Sequence, residues 1–419
     1  MTEISHDIPL GRQDVCQLCN KPDLKFIMDL GHNPPCDSLL TIEELDQPES
    51  SYPLQLYMCG DCDHIQINYA VAPEILFHKE YPYKSGITET LANNLKNGAK
   101  KFVKDLSINK SGLAIDIGSN DGTFLKGFKE TGMSVLGIEP TDIAKIAESD
   151  GIPTIQEFFS EKVAIEIEKK YGKAEIITAA NMFAHIPNLG DLIQGASRLL
   201  NEDGFFVTES HYLLDIIETV QFDSIYHEHL KYYSLKDLDF LFSCYDFTLV
   251  DAEKIPNYGG SIRAYAKKGK DHQKSERLLG LMDLEHQANL FDWETWMSFK
   301  TKVLKARADC RKLISQLLDE GKRICAIGCP GRSSTLLNYY GLSPNEIEYI
   351  AEQSTCLKVG MYCAGQHIPV VDEQRMFDEQ PEFALMLSWH YSEPIIKKLR
   401  EKGLKSKIII PLPELKIVD

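Results

Sequence analysis

Four cysteines within the first 62 residues stand in two pairs, Cys16-x-x-Cys19 and Cys59-x-x-Cys62. Each pair can form a knuckle that aims two thiolates at one ion about 2.3 Å away, and four thiolates close a tetrahedral zinc site without an open position, which makes the ion structural. A redox dithiol and unmetallated thiols are the competing readings of this spacing, and His32 and Cys36 are the nearest rival ligands. The 39 residues between Cys19 and Cys59 exceed ordinary ribbon spacing. A small subdomain must therefore fold between the knuckles.

A second cluster crowds two imidazoles, a carboxylate and phenols into seven residues, Tyr226-His227-Glu228-His229-Leu230-Lys231-Tyr232. Such a set can hold an imidazole near neutral pKa as a general base, oriented by a carboxylate, with a phenol stabilising developing oxyanion charge. In an extended segment His227 and His229 would share one face, so a metal pair and a purely structural polar cluster stand beside the acid–base reading. Upstream, Asn181-Met182-Phe183-Ala184-His185-Ile186-Pro187 follows the apolar run AEIITAA. That places Asn181 and His185 at the carboxyl edge of a strand, where ligands of open α/β sheets bind.

The third feature is Ala114-Ile115-Asp116-Ile117-Gly118-Ser119-Asn120-Asp121-Gly122, which leaves an apolar strand and opens a helix, with a second strand ending at Glu139. Glycines in the turn let backbone approach a ligand, and an acid at the second strand's end can accept two hydrogen bonds from ribose hydroxyls. A dinucleotide fold keeps a second glycine against its pyrophosphate, and here Asn120 stands in that place. The ligand is thus nucleotide-like without a pyrophosphate; a nicotinamide cofactor and a merely structural βα turn are the alternatives. The pattern D-x-G-x-N-D-G resembles motif I of class I S-adenosylmethionine (SAM) dependent methyltransferases, with Asp116, Gly118, Asn120, Gly122, Glu139 and Asn181 as the cofactor-binding candidates.

The elements that must position these groups follow from the apolar patterning. Between Ser111 and Leu249 the runs LAIDIG, SVLGIEP, AEIITAAN and GFFVTES alternate with helix-like stretches, as in a βαβ series with a parallel sheet. Residues 274–320 keep helical spacing without Gly or Pro after Gly280 and are expected to form one long connecting helix. A second αβ pattern starts at KRICAIGCPGRSS and ends at KIIIPLP. A length of 419 residues suits two to three domains, and 43% hydrophobic with 26% charged residues is an ordinary globular composition. A net charge of −17 would repel phosphate backbones and anionic lipid, so neither nucleic acid nor membrane is an expected partner. The N-terminus lacks a basic-then-apolar leader and no apolar run reaches membrane-spanning length, which gives a cytoplasmic expectation. Eleven scattered cysteines fit metal binding or free thiols better than disulfides.

Taken in order, C-x-x-C…C-x-x-C, Glu80-Tyr81-Pro82-Tyr83-Lys84-Ser85-Gly86, IDIGSNDG, NMFAHIP, YHEH and Asn257-Tyr258-Gly259-Gly260-Ser261-Ile262-Arg263 resemble the sugar C-methyltransferase family over nearly the whole chain. The resemblance implies an α/β protein in three parts: residues 1–80 a zinc-binding module, 81–270 a class I SAM-methyltransferase Rossmann-like domain, and 271–419 a second Rossmann-like α/β domain contributing to nucleotide-sugar binding. It implies C-methylation at C3 of a nucleotide-diphosphate-linked 4-keto-6-deoxy sugar through an enolate, with SAM as methyl donor and a structural zinc ion. His229 would be the base, Glu228 its positioning group, and Tyr226, Tyr83, Tyr81 or His185 the support for the enolate oxygen. Asn257, Tyr258, Arg263 and Arg332 would bind substrate, Arg332 standing in GCPGRSS where the family has a lysine-containing loop. Cys36-Asp37-Ser38 also departs from the Asn-rich stretch of the family. An O- or N-methyltransferase of another small molecule, and a zinc-stabilised SAM-binding protein without catalysis, are the rival functions. Oligomeric state is left open, with a monomer as the default.

Overall fold

A computed structural model describes residues 6–77, 86, 89–270 and 272–419. Tyr81 and Tyr83 lie outside the described residues.

The central part is a seven-stranded sheet. Its strands are Leu113–Ile117, Ser134–Ile138, Thr154–Ile155, Ala174–Ala180, Leu200–His211, Phe247–Ile255 and Ser261–Lys268. Numbered within the sheet in chain order, they lie side by side as 3-2-1-4-5-7-6. The first five pair in parallel, and the last, Ser261–Lys268, enters antiparallel between its neighbours. This is the class I methyltransferase arrangement. Its first strand, LAIDI, is buried at every position, because helices cover both faces and a doubly covered strand reads as a continuous apolar run. Period-two alternation sends Leu113, Ile115 and Ile117 into one core and Ala114 into the other, against Phe124 and Phe128. The helix Glu89–Asp105 crosses the helix Thr123–Lys129 at Gly127, where a Cβ would meet the Lys96 carbonyl oxygen at 2.5 Å. Only glycine permits that approach.

The C-terminal part repeats the doubly wound logic with six strands in the order 3-2-1-4-5-6, counted again in chain order from Ile324–Ile327. All pair in parallel except the last, Lys416–Val418. The expected single helix over 274–320 is instead two, Glu276–Gln287 and Trp293–Asp319. Asn289 adopts a left-handed backbone with φ of 51°, and the buried Trp296 indole donates to the Leu290 carbonyl at 3.0 Å. Periodicity alone did not register that corner.

The three parts interlock. The zinc module's sheet carries Leu24–Asn33, Tyr52–Cys59 and Ile65–Ile67, and its fourth strand is Lys231–Tyr232 of the central part. Leu39–Leu40 pairs with Tyr362–Cys363 of the C-terminal part. The segment holding Tyr226 to Tyr232 is thus tied directly to the zinc module, so order in one supports order in the other. Among the described residues no helix is long and apolar enough to cross a membrane.

Candidate active site

The four paired cysteines converge. Cys16 and Cys62 sulfurs lie 3.6 Å apart, as do those of Cys19 and Cys59, and all four fall within 4.8 Å of one another. Sulfurs about 2.3 Å from a central zinc would stand about 3.8 Å apart at tetrahedral angles, so the set fits the ion. Backbone N–H groups of Leu18, Cys19 and Asp61 point at the Cys16 and Cys59 sulfurs at 3.3–3.5 Å, as knuckles require.

At the carboxyl edge of the central sheet, the turn after Leu113–Ile117 passes through positive φ at Gly118, Asn120 and Gly122 (73°, 51° and 72°). Gly118 and Ser119 N–H groups bond the Ile138 carbonyl, fastening the turn to the neighbouring strand. Glu139, buried at that strand's tip, accepts from the Asn120 N–H at 3.0 Å and from Thr141 at 3.0 and 2.7 Å. Its carboxylate is thereby fixed at the carboxyl edge of the sheet. Asp116, opposite Gly137 on the neighbouring strand, is buried; burial pushes its carboxyl up to about 7 against the opposing Thr178 hydroxyl bond of 2.5 Å. Asn181 holds a left-handed backbone, and its side-chain oxygen is buried without a partner among the described residues. A side chain at Gly118 would meet Met182 at 3.0 Å. An orphaned acceptor beside a glycine cradle and an anchored carboxylate fit a SAM-sized nucleoside.

At the same sheet edge stands a nest of rings. His229 lies 4.0 Å from Tyr226, 4.9 Å from His185 and 4.8 Å from His211, centroid to centroid. Its Nδ1 is 2.7 Å from the Ser224 carbonyl oxygen, which can only accept. Nδ1 therefore carries the proton and the neutral ring keeps its lone pair on Nε2. Burial drives the His229 pKa down to about 4, and burial likewise holds His185 and His211 well below the usual imidazole range. The Tyr226 phenol is held well above its ordinary value, by burial first. The group is a neutral base beside a protonated phenol.

Two expectations for this cluster are corrected. Residues 226–229 form a turn closed by the His229 N–H to Tyr226 carbonyl bond of 2.9 Å, so His227 and His229 do not share a face. His227 turns away to Pro53 and Tyr52 of the zinc module. Ser224, not Glu228, orients the His229 ring; the Glu228 carboxylate accepts from Cys36 instead.

Two of the substrate candidates, Asn257 and Arg263, converge on a residue absent from the sequence expectation. Glu209 accepts from Arg263 at 2.9 and 3.2 Å and from Asn257 and Asn181 at 3.3 and 3.4 Å. Burial opposes the Arg263 charge, and Glu209 more than offsets it, raising the guanidinium pKa. Tyr258 has φ of 56°, and its N–H donates to the Tyr391 hydroxyl. Arg332 does not present its fork to a diphosphate as expected. It is buried and bound to both Asp223 oxygens, the Gln221 amide oxygen and the Tyr258 carbonyl. Asp223 and His211 were likewise not singled out from sequence. His211 follows the GFFVTES run at the same sheet edge as Asn181, a placement that could have flagged it.

Comparison with known proteins matches three domain models in succession along the chain. A zinc binding domain model matches residues 16–77, a methyltransferase domain model 91–252 and a C-methyltransferase C-terminal domain model 256–413. The C-methyltransferase NovU of Streptomyces niveus is 29% identical over 411 residues, covering 97% of each chain. A ubiquinone biosynthesis O-methyltransferase of Actinobacillus pleuropneumoniae serotype 7 is 33% identical over 107 residues, 22% of this chain and 44% of its own. Among solved structures, the magnesium protoporphyrin IX methyltransferase ChlM of Synechocystis, with SAM bound, covers 42% of this chain and 79% of its own at 11% identity and a TM-score of 0.32.

Proposed function

We propose that the chain, which matches zinc-binding, methyltransferase and C-methyltransferase C-terminal domain models in turn and is 29% identical to a C-methyltransferase over 97% of its length, methylates C3 of a nucleotide-diphosphate-linked 4-keto-6-deoxy sugar through an enolate. The observation that carries this reading is His229. It is a buried neutral imidazole with Nδ1 fixed on Ser224 and Nε2 left as a lone pair, 4.0 Å in ring separation from a protonated Tyr226.

The Gly118–Gly122 turn, Glu139 and Asn181 would hold SAM, which would supply an electrophilic methyl group. His229 Nε2 takes the C3 proton, which the adjacent ketone makes acidic. The Tyr226 hydroxyl donates to the ketone oxygen as it gains charge, and its raised pKa keeps the proton available for that bond. His185 and His211 flank His229 as neutral rings that keep water out and orient the sugar. Tyr81 and Tyr83, from the Y-P-Y motif, remain candidates for the same oxyanion. Asn257 and Tyr258 line the side facing the C-terminal part and bind the sugar nucleotide, while Arg263 shapes the floor through Glu209. Carbon rather than oxygen is methylated because the nucleophile is an enolate carbon, which needs a base. An O-methyltransferase has no such need for a base beside a ketone.

The deciding experiment supplies the enzyme with SAM and a panel of thymidine-, guanosine- and cytidine-diphosphate 4-keto-6-deoxyhexoses. NMR of the product is expected to show a methyl group on C3. A methyl on oxygen or nitrogen, or no SAM consumption with any member, overturns the reading.

A further inference from the structure

Cys329 and Cys363 stand 34 positions apart, and the C-terminal fold brings their sulfurs to 3.8 Å. Each residue is 5% exposed, against none of Cys310 or Cys325, so the pair lies just under the surface rather than deep in the core. Cys329 sits in the turn after Ile324–Ile327, where its N–H donates to Glu352 at 2.8 Å and its carbonyl accepts from the Lys358 ammonium at 2.9 Å. Cys363 ends the strand Tyr362–Cys363, in a hairpin closed by its own N–H to the Ile368 carbonyl at 3.0 Å. These two segments carry the grips of the C-terminal part on the rest of the chain. Three residues past Cys329, Arg332 holds Asp223 of the central part. Around Cys363, the hairpin pairs with Leu39–Leu40, and its Gly365 and His367 bond Glu49, all on the zinc-module side. A bond between the two sulfurs would join the two grips.

The sulfurs are not equivalent. The hydrogen bond from Cys363 lowers the Cys329 pKa first of all; burial opposes it and the Lys358 charge adds to it. The same hydrogen bond, with burial, holds Cys363 well above the ordinary thiol value. One sulfur is thus favoured as thiolate and its neighbour as the thiol that donates to it, the division of roles that a redox-sensitive pair needs. A metal ion is the poorer occupant, since two sulfurs beside an ammonium group make half of a tetrahedral set and repel a cation. The gap to a disulfide, from 3.8 Å to about 2.05 Å, is less than the roughly 3 Å by which one rotamer step moves a sulfur.

We propose that Cys329 and Cys363 are a site of reversible oxidation by hydrogen peroxide, forming a disulfide that ties the Arg332 turn to the hairpin seated on the zinc module. The Cys329 thiolate attacks one peroxide oxygen, the O–O bond breaks, and the departing hydroxide takes up the proton that the thiol had released, leaving as water. The Cys363 sulfur then attacks the sulfenic acid on Cys329; the S–O bond breaks, the S–S bond forms, and the Cys363 proton leaves with the hydroxyl as a second water. The two sulfurs lose two electrons and the two peroxide oxygens gain them. The tie acts on how the three parts are held together, and it does not depend on which compound is methylated.

The test treats the full zinc-loaded chain with hydrogen peroxide at doses that leave the zinc content unchanged, so that the four zinc cysteines stay out of the result. Thiols titrated after unfolding should fall by two from the eleven of the untreated chain. A non-reducing digest should yield one new species that joins the Cys329 and Cys363 peptides and is two hydrogens lighter than their sum, and dithiothreitol should reverse both changes. In Cys363→Ser, which lacks the resolving sulfur, Cys329 should stop at the sulfenic acid and take a dimedone label, while Cys329→Ser should give neither product. Amide hydrogen exchange over residues 329–332 and 362–369 of wild type should slow on oxidation and recover on reduction. Absence of the joined peptides from wild type at those doses, or a cross-link from either cysteine to Cys36 or Cys356 in their place, overturns the site. Exchange that is the same in the cross-linked and reduced chains overturns the tie between the two grips.

Discussion

Arg332 of the C-terminal part grips both carboxylate oxygens of Asp223 in the central part, at 2.6 and 2.9 Å, with both side chains buried. Trp389 adds its indole N–H to the same carboxylate at 2.8 Å. The pair fixes how the C-terminal part closes over the nest of histidines. Asp223→Ala should destabilise the chain by about 3–5 kcal/mol, the cost of leaving a buried charge unpaired. Urea unfolding checks it, and a loss below about 1 kcal/mol would show that water reaches the guanidinium. Arg332→Met with Asp223→Leu should recover part of the loss, but not the lost partners of Gln221 and Tyr258.

The zinc site makes a separate prediction. A single tightly held zinc ion is expected per chain, and elemental analysis finding less than about half an equivalent in protein purified without chelator counts against it. Cys59→Ser should lower solubility. Because Lys231–Tyr232 pairs with Ile65 and Gln66, chelation should also raise hydrogen exchange around residues 226–232, far from the metal in sequence.

Glu139 should hold the SAM ribose. Glu139→Ala is expected to weaken SAM by about 1.5–3 kcal/mol, the range for hydrogen bonds to a charged group. Calorimetric affinity equal to wild type would remove Glu139 from the site. Glu139 also anchors the Asn120 N–H, so Glu139→Gln, which keeps an acceptor, should fall between.

Which of these features the sequence displayed depends on how local their cause is. The cysteine knuckles and the D-x-G-x-N-D-G turn are written in consecutive residues, and the structure brings those residues together. The alternating apolar runs marked the parallel strands because both faces of that sheet are covered. Ser224, Glu209 and Asp223 were not legible, since each owes its role to a partner brought close only by tertiary packing. Cys36 bonds Glu228 across 192 positions, and no spacing rule reaches that far. His227 and Glu228 were misplaced for a local reason: a turn, where alternation assumed an extended segment.

His229 carries the prediction that bears most on the chemistry. Burial places its pKa at about 4 against 6.5 for an ordinary imidazole, so it is unprotonated at neutral pH and kcat/KM should show no acid limb near 6.5. The same shift fixes a stability dependence. Between pH 6.5 and about 4 the unfolded chain binds a proton that the folded chain excludes, so stability rises with pH across that window and falls on acidification. At about 1.4 kcal/mol per pH decade, His229 accounts for about 3 kcal/mol of the acid loss. Chemical denaturation of wild type and His229→Asn at pH 7 and pH 4.5 isolates it, because zinc release and the other histidines are common to both. The stability difference should shift in favour of the variant at the lower pH, and parallel curves would show that His229 is charged or solvated. In activity, His229→Asn should leave SAM affinity intact while lowering turnover by roughly 10²–10⁴, the usual contribution of a general base. In deuterated water, with SAM replaced by its demethylated product, wild type should exchange the sugar C3 proton and the variant should not. Exchange that survives in the variant would move the base to His185, His211 or a tyrosine.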